Sequence, residues 1–498
     1  MIFLSGKKPI FYSALMLTGV NLLLRFISTG FQVFLSGRIG PAGIGLLQLV
    51  LSVGMLAMTA GIAGIRTATM YLTAEEVGKK TLKNLRWVLL GCFTYSLICS
   101  GALSVLLYFF APYIAGNWIG DSRTTDALRL FSLFLPISCT CGVMTGYFTA
   151  RGKIGTLAAV EIAEQLFSMG VTVALLTFWA GDDPALACQS VITGSGAGSC
   201  LTLLALCLCS RKLAQPSGKP IPMAKRLWRT AVPLAVADNV KAGISTTENL
   251  LVPKRLALFA GVVNPLAIFG IVTGMVFPIM MFPAAILFSL AELLIPEMAR
   301  CRAAGSEKRI RYLTQRSLRV ALLYACLFSG LLFLLAEPLC LTLYHNTEAG
   351  NYLRFFAVMI PMLYCDAITD AIIKGLGEQT ACVRYNIITS ALDVVLLFFL
   401  LPHFGMAGYI CSFFVTHLIN LILSLHRLTK ITKVRLTLNM PILCMLACIL
   451  ALMICFFVTG TVAKALCFPA VFCCLLVLMN VVGKRDFVWI KNLIKKTA

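Results

Sequence analysis

The sequence predicts an all-α polytopic membrane protein: about fourteen transmembrane helices in two parallel, pseudo-symmetric six-helix bundles, then a C-terminal helix pair. Three observations predict it. Hydrophobic residues make up 59% of the 498 and charged residues only 12%, with a mean hydropathy of +0.91, whereas a soluble chain carries about twice that charged share. Apolar runs of about 20 residues, enough to cross hydrocarbon about 30 Å thick, recur from end to end. One pattern also occurs twice. Leu128–Lys153 reads LRLFSLFLPISCTCGVMTGYFTARGK and Leu353–Glu378 reads LRFFAVMIPMLYCDAITDAIIKGLGE. Without a gap, Leu128, Arg129, Phe131, Pro136 and Gly152 fall on Leu353, Arg354, Phe356, Pro361 and Gly377.

The spans follow in order. Span one, 9–35, comes after Lys7 and Lys8; it is too long, and lacks the small-residue cleavage site, for a signal peptide. Span two, 43–72, opens at Pro41-Ala-Gly-Ile-Gly. Spans three (87–110), four (127–150), five (155–179) and six (186–209) are apolar runs separated by cationic or Gly/Pro turns. Within span six, Gly194-Ser-Gly-Ala-Gly reads as close helix packing. The linker Ser210–Arg229, with Pro216, Gly218, Pro220 and Pro222, ends the first bundle. Span seven (228–253) begins the second, and span eight (262–290) opens at Pro265-Leu-Ala-Ile-Phe-Gly-Ile, an echo of span two. Spans nine (317–336), ten (351–373), eleven (381–402) and twelve (405–425) complete it. After His426–Asn439 come spans thirteen (439–459) and fourteen (463–482). The domains are therefore 1–226, 227–436 and 437–498. Spans one and seven run in the same direction, so the repeats are parallel, a layout that secondary transporters use with the substrate path between the halves.

The formal net charge is +22. Alternate loops collect about thirty of the Lys and Arg, while the opposite loops hold Arg38, Arg123, Lys254, Arg255 and Lys464. This is the positive-inside pattern and places both termini in the cytoplasm. Charge distributed over loops in this way argues for lipid contact and against nucleic acid. Most of the 20 cysteines sit inside apolar spans, where the thiol acts as a small hydrophobe. Cys139 and Cys141 are too close together, and too far from any histidine, for zinc. Neither a metal nor a cofactor is expected.

Ionisable groups inside a bilayer are costly and mark either function or a buried pair. Span one carries Asn21, Arg25, Ser28 and Gln32 at spacings that share one helical face, and span seven carries Asp238, Lys241, Ser245 and Glu248 in the same manner. Span two adds Gln48, Ser52, Thr59 and Arg66. Two symmetry-related stripes with a central cation suit an anionic ligand, because guanidinium and ammonium groups pair with phosphate oxygens. The plain alternative is structural pairing, as between Lys241 and Asp238 one turn away. Span five holds Glu161 and Glu164, which either bind a coupling proton or sodium ion or pair with Arg151 or Lys153. Asp366, Asp370 and Asp393 are further coupling-ion candidates, with an Asp370–Lys374 pair as the plain option. Arg129 and Arg354 fit snorkelling at the interface.

An enzyme is not expected. His345, His403, His417 and His426 fit no triad or metal spacing, and no phosphate-binding glycine loop precedes a helix. The six-plus-six-plus-two plan, with Asn21–Phe26 (NLLLRF), Arg38–Val50 (RIGPAGIGLLQLV) and Glu248–Leu256 (ENLLVPKRL), resembles the multidrug/oligosaccharidyl-lipid/polysaccharide (MOP) exporter superfamily over essentially the whole length, and within it the stage V sporulation protein B and lipid II flippase branch. That resemblance implies a MATE-like fold in a bacterial plasma membrane and a flippase for an undecaprenyl-pyrophosphate-linked sugar, working by alternating access, with membrane lipids as neighbours and a monomeric state. On this reading Arg25, Lys241 and Arg66 take the pyrophosphate, with Asp238 beside them, and Asn21, Gln32, Ser52 and Glu248 contact sugar or peptide. Arg25 matches the first-span arginine of the flippase relatives. Phe31 stands near where their second arginine is expected and carries no charge. The alternative is an ion-coupled multidrug or organic-cation antiporter, which would bind through acidic residues.

Overall fold

The computed structural model describes residues 8–62, 64–78, 85–181, 183–210, 223–434 and 439–482, and among these every regular element is a helix. Among the described residues the helices carry the fourteen expected spans. The helix Lys8–Ile62 carries spans one and two around Gly40 (φ 70°), and Gln379–Thr432 carries spans eleven and twelve around Gly405 (φ 56°). Only glycine takes such a φ without steric cost, so one residue makes each change of direction. Spans eight and ten are broken: Pro265–Met281 meets Ala284–Ala303 at 62°, and Thr347–Ala357 meets Ile360–Gly375 at 55°. Proline stands at each bend, Pro283 in one and Pro361 in the other, where its missing N–H leaves a carbonyl without its helical donor. Span eight therefore extends to Ala303, beyond the 290 expected from hydropathy. Span seven, Met223–Leu256, is 34 residues long.

The duplication is visible in the backbone. Ser104 Oγ donates to the carbonyl of Ser132 at 2.6 Å, and Ser329 Oγ donates to the carbonyl of Ala357 at 2.8 Å; both members of the second bond lie 225 positions after those of the first. Gly120 and His345 end the preceding helices in the left-handed conformation, again 225 apart. Asp121 and Asn346 then cap the next helix with side-chain oxygens. Gly152 and Gly377 share a positive φ. Arg129 stacks over Tyr108 at 5.4 Å, whereas Arg354 pairs with Glu337 at 2.8 Å.

Contacts group the chain into two units: Met1–Gly274 with Ser390–Gly408, and Met275–Thr389 with Tyr409–Ala498. In the first, Val88, Cys92, Val143, Tyr147, Phe148 and Leu206 form a dry core. The glycines of span six do pack closely, since a Cβ at Gly194 would lie 2.1 Å from Thr172 Oγ1 and one at Gly196 2.2 Å from the Phe134 ring. The two segments that echo each other in sequence meet directly. A Cβ at Gly270 would fall 2.0 Å from the Pro41 carbonyl oxygen, and one at Gly45 2.2 Å from that of Leu266. Missing side chains let these backbones touch.

In the second unit, Phe277, Phe356, Tyr409 and Phe413 form an aromatic cluster with centroids 5.3 to 6.4 Å apart. Spans thirteen (Asn439–Phe456) and fourteen (Thr461–Leu478) pack on the long helix Glu307–Tyr344 through Cys444, Cys448, Phe468 and Phe472.

Candidate functional site

A cavity of about 580 Å³ opens between spans two and seven, with Gln48, Ser52 and Thr59 on one wall and Asp238, Lys241 and Ser245 on the other. The helical spacing seen in the sequence puts these side chains on facing sides. Lys241 is exposed in this space, and no ion pair joins it to Asp238. An ammonium in such a cavity, with no carboxylate partner among the described residues, favours an anion.

Ser52 lines this cavity and is also engaged in hydrogen bonds. Its hydroxyl donates to the Gln48 carbonyl at 2.8 Å and accepts from Asn249 Nδ2 at 3.0 Å, while its own carbonyl accepts from Thr246 Oγ1 at 3.0 Å. It latches span two to span seven. Asn249, four residues after Ser245, is the member of the span-seven stripe that sequence reasoning passed over in favour of Glu248. Gln32 donates to the Gly274 carbonyl at 3.2 Å, in the irregular turn of span eight. Arg25 is exposed and does not line the cavity; its backbone carbonyl accepts from Thr29. The Asn21 side chain lies outside the described residues.

Arg66 follows a break at Gly64 (φ 72°) and lies near enough to Glu161 for their charges to interact. Glu164 accepts from Thr202 Oγ1 at 2.7 Å. These residues form a polar group inside the first six spans.

Two carboxylate sites stand out. Glu248 faces Asp393 closely enough for a shared hydrogen bond, and Asp393 is only 5% exposed. The second site joins Asp366 and Asp370 to asparagines of neighbouring spans. Asn420 Nδ2 donates to Asp366 Oδ2 at 2.8 Å, Asn386 Nδ2 donates to Asp370 Oδ2 at 3.3 Å, and Ser424 Oγ donates to Asp370 Oδ1 at 3.3 Å. Lys374 lies 3.5 Å from Asp370, so that plain pairing is present. Asp366 Oδ1 is buried with no partner among the described residues. Of the three aspartates considered together, two share a site and the third has Glu248 as its neighbour. Asn420 and Ser424, four apart in span twelve, were legible as a polar stripe and were missed. Glu292 was missed because span eight was ended too early; it is exposed on the helix Ala284–Ala303.

The chain matches the MatE family over residues 17–174 and 262–399. It is 23% identical over 416 residues to stage V sporulation protein B of Bacillus subtilis, covering 81% of this chain and 80% of that protein. It is 23% identical to sporulation protein YkvU of the same organism, covering 67% and 77%. Its fold resembles lipid II flippase MurJ in an inward closed conformation, with a TM-score of 0.71, 13% identity, and coverage of 95% of this chain and 100% of that one. An inward-facing multidrug resistance MATE transporter gives 0.65 and 13%, with 84% and 99% covered. The family match spans more than half of the sequence and the duplicated helical fold agrees with it: the chain is a multi-pass membrane protein belonging to the MatE family.

Proposed function

We propose that the protein is a flippase that carries an undecaprenyl-pyrophosphate-linked sugar from the inner to the outer leaflet. The observation that carries this reading is Lys241, exposed in a cavity with polar walls and without a carboxylate partner among the described residues. Moving a charged, sugar-bearing head group through hydrocarbon is prohibitive unless polar groups replace its water. Lys241 takes the pyrophosphate, with Gln48, Thr59, Ser245 and Asp238 for the sugar hydroxyls, and the cavity opens to each side in turn. Arg25 and Arg66 act as entry-side cations. Both termini face the cytoplasm of a bacterial cell, and the transporter works as a monomer among membrane lipids.

A leaflet-accessibility assay in proteoliposomes, using a fluorescent polyprenyl-pyrophosphate glycan, tests the reading. Lys241→Ala should elute and melt as the parent does yet leave the probe in its starting leaflet. Full transport by both Lys241→Ala and Arg25→Ala would end this assignment.

A second reading, an ion-coupled exporter of organic cations, draws on the two carboxylate sites. They also serve the first reading, as sites for a coupling proton or sodium ion. Under the second reading Asp366→Asn abolishes cation efflux and Lys241→Ala leaves it intact.

A further inference from the structure

Span seven has a second opening, on the face opposite Lys241. There a groove of about 650 Å³ runs along Val240, Gly243, Leu251 and Lys254, closed by Trp118 from the end of span three and Val394 from span eleven. The positions 240, 243, 247, 251 and 254 form one helical stripe; 238, 241, 245 and 249 form the other. From Asn239 to Lys254 the groove follows the helix for about 22 Å, against about 15 Å for one leaflet's hydrocarbon. Its lining is mainly apolar up to Lys254. Loop charge assigns that end to the outer face, and Trp118 stands there, the residue type that gathers at membrane interfaces.

Lys254 Nζ donates to the Asn117 carbonyl oxygen across the top of the groove, which leaves two of its three hydrogens for another acceptor. Among the described residues no carboxylate pairs with it. The next cation, Arg255, stacks 3.3 Å from the centre of the Phe398 ring. An apolar groove running along span seven and ending in two adjacent cations matches a lipid with a charged phosphodiester.

We propose that this groove holds one acyl chain of an anionic glycerophospholipid from the outer leaflet, with its phosphate on the Lys254 ammonium. The lipid braces span seven from behind while the opposite face of the same helix bounds the polar cavity. This assignment does not depend on the cargo.

The test uses the full chain with Trp118 as its single tryptophan (Trp87, Trp179, Trp228 and Trp489 each to Phe), titrated with phosphatidylglycerol brominated on its acyl chains. Saturable quenching is expected. Half-saturation should come at a concentration about fivefold lower than with brominated phosphatidylcholine, roughly the worth of one interfacial cation. Lys254→Gln should erase that preference. Gly243→Leu should erase the saturable quenching, because a side chain there meets nothing within 4 Å and projects into open groove. Native mass spectrometry of the parent chain and its Gly243→Leu variant, with all tryptophans present, reads the same lipid as one bound phosphatidylglycerol lost. Quenching unchanged by Gly243→Leu overturns the proposal, as does equal affinity for the two head groups. Displacement by a polyprenyl phosphate at lower concentration than by phosphatidylglycerol also overturns it and gives the groove to the carrier lipid.

Discussion

Gly270→Ala probes the crossing of spans two and eight. The new methyl would sit 2.0 Å from the Pro41 carbonyl oxygen and 2.6 Å from the Gly45 nitrogen. Ordinary contact begins near 3.4 Å, so the helices must part by more than an ångström. Both obstacles are backbone atoms, which cannot rotate away. Overpacking of this kind costs about 1–3 kcal/mol, and a gap of even half an ångström forfeits a quarter of the surrounding dispersion contacts. Alanine recovers part of this, about 0.5–1 kcal/mol, through helix propensity. Gly243→Ala supplies the control: it lies in the same membrane, in a helix, with nothing within 4 Å of the added methyl. The difference between the two variants isolates the steric part. The unfolding midpoint in detergent, followed by size-exclusion fluorescence, should fall for Gly270→Ala and hold or rise for Gly243→Ala. A Gly270→Ala protein as stable as Gly243→Ala would show that the crossing is not tight. Gly45→Ala strains the same contact, so the double variant should lose less than the sum of the singles.

Glu248→Gln or Asp393→Asn should leave folding intact while lowering the dependence of transport on proton or sodium gradients by an order of magnitude or more; unchanged gradient dependence in both variants excludes this pair as a coupling site. Ser104→Ala and Ser329→Ala each remove one interhelical hydroxyl bond and should each cost about 0.6 kcal/mol, at most about 1.7. A large loss from only one would mean that the repeat bonds are not equivalent. The Arg427 guanidinium, 2.6 Å away, holds the Glu378 carboxyl below the usual carboxylate range. A depressed folded pKa means that the pair stabilises the fold above the unfolded value, about 4.3, and that this contribution fades as pH falls through the lower folded value. The midpoint difference between parent and Glu378→Gln should therefore shrink from pH 5 towards pH 3; a constant difference refutes it.

Span number, duplication and the polar stripes were legible because each rests on a local rule: apolar length, repeated order, or helical spacing. Partnership was not. Glu248 and Ser245 look alike on a helical wheel, and only the approach of span eleven turns Glu248 toward Asp393. Ser52 reads as a free hydroxyl until Asn249 donates to it and Thr246 donates to the carbonyl of the same residue. Arg25 stands on the expected stripe, yet the cavity forms one helix away from it. Span eight was cut short because Glu292 and Glu297 lower its apolar average. The proline bend and the helix continuing to Ala303 are backbone events that hydropathy does not register.

Hydroxyl bonds, left-handed caps, capping side chains and the Arg129/Arg354 pair recur at a fixed offset, while the carboxylates inside the spans do not. At that offset Asp366 stands against Cys141, Asp370 against Thr145, Glu161 against Asn386 and Glu164 against Thr389. A two-fold scaffold thus bears one-fold chemistry. Architecture is held in common by the copies, and these four intramembrane carboxylates are private to one copy or the other. Under the proposed coupling, a proton or ion held at Asp366 and Asp370 would load a site whose counterpart, Cys141 and Thr145, carries no carboxylate, which would give a symmetric machine a sense of direction.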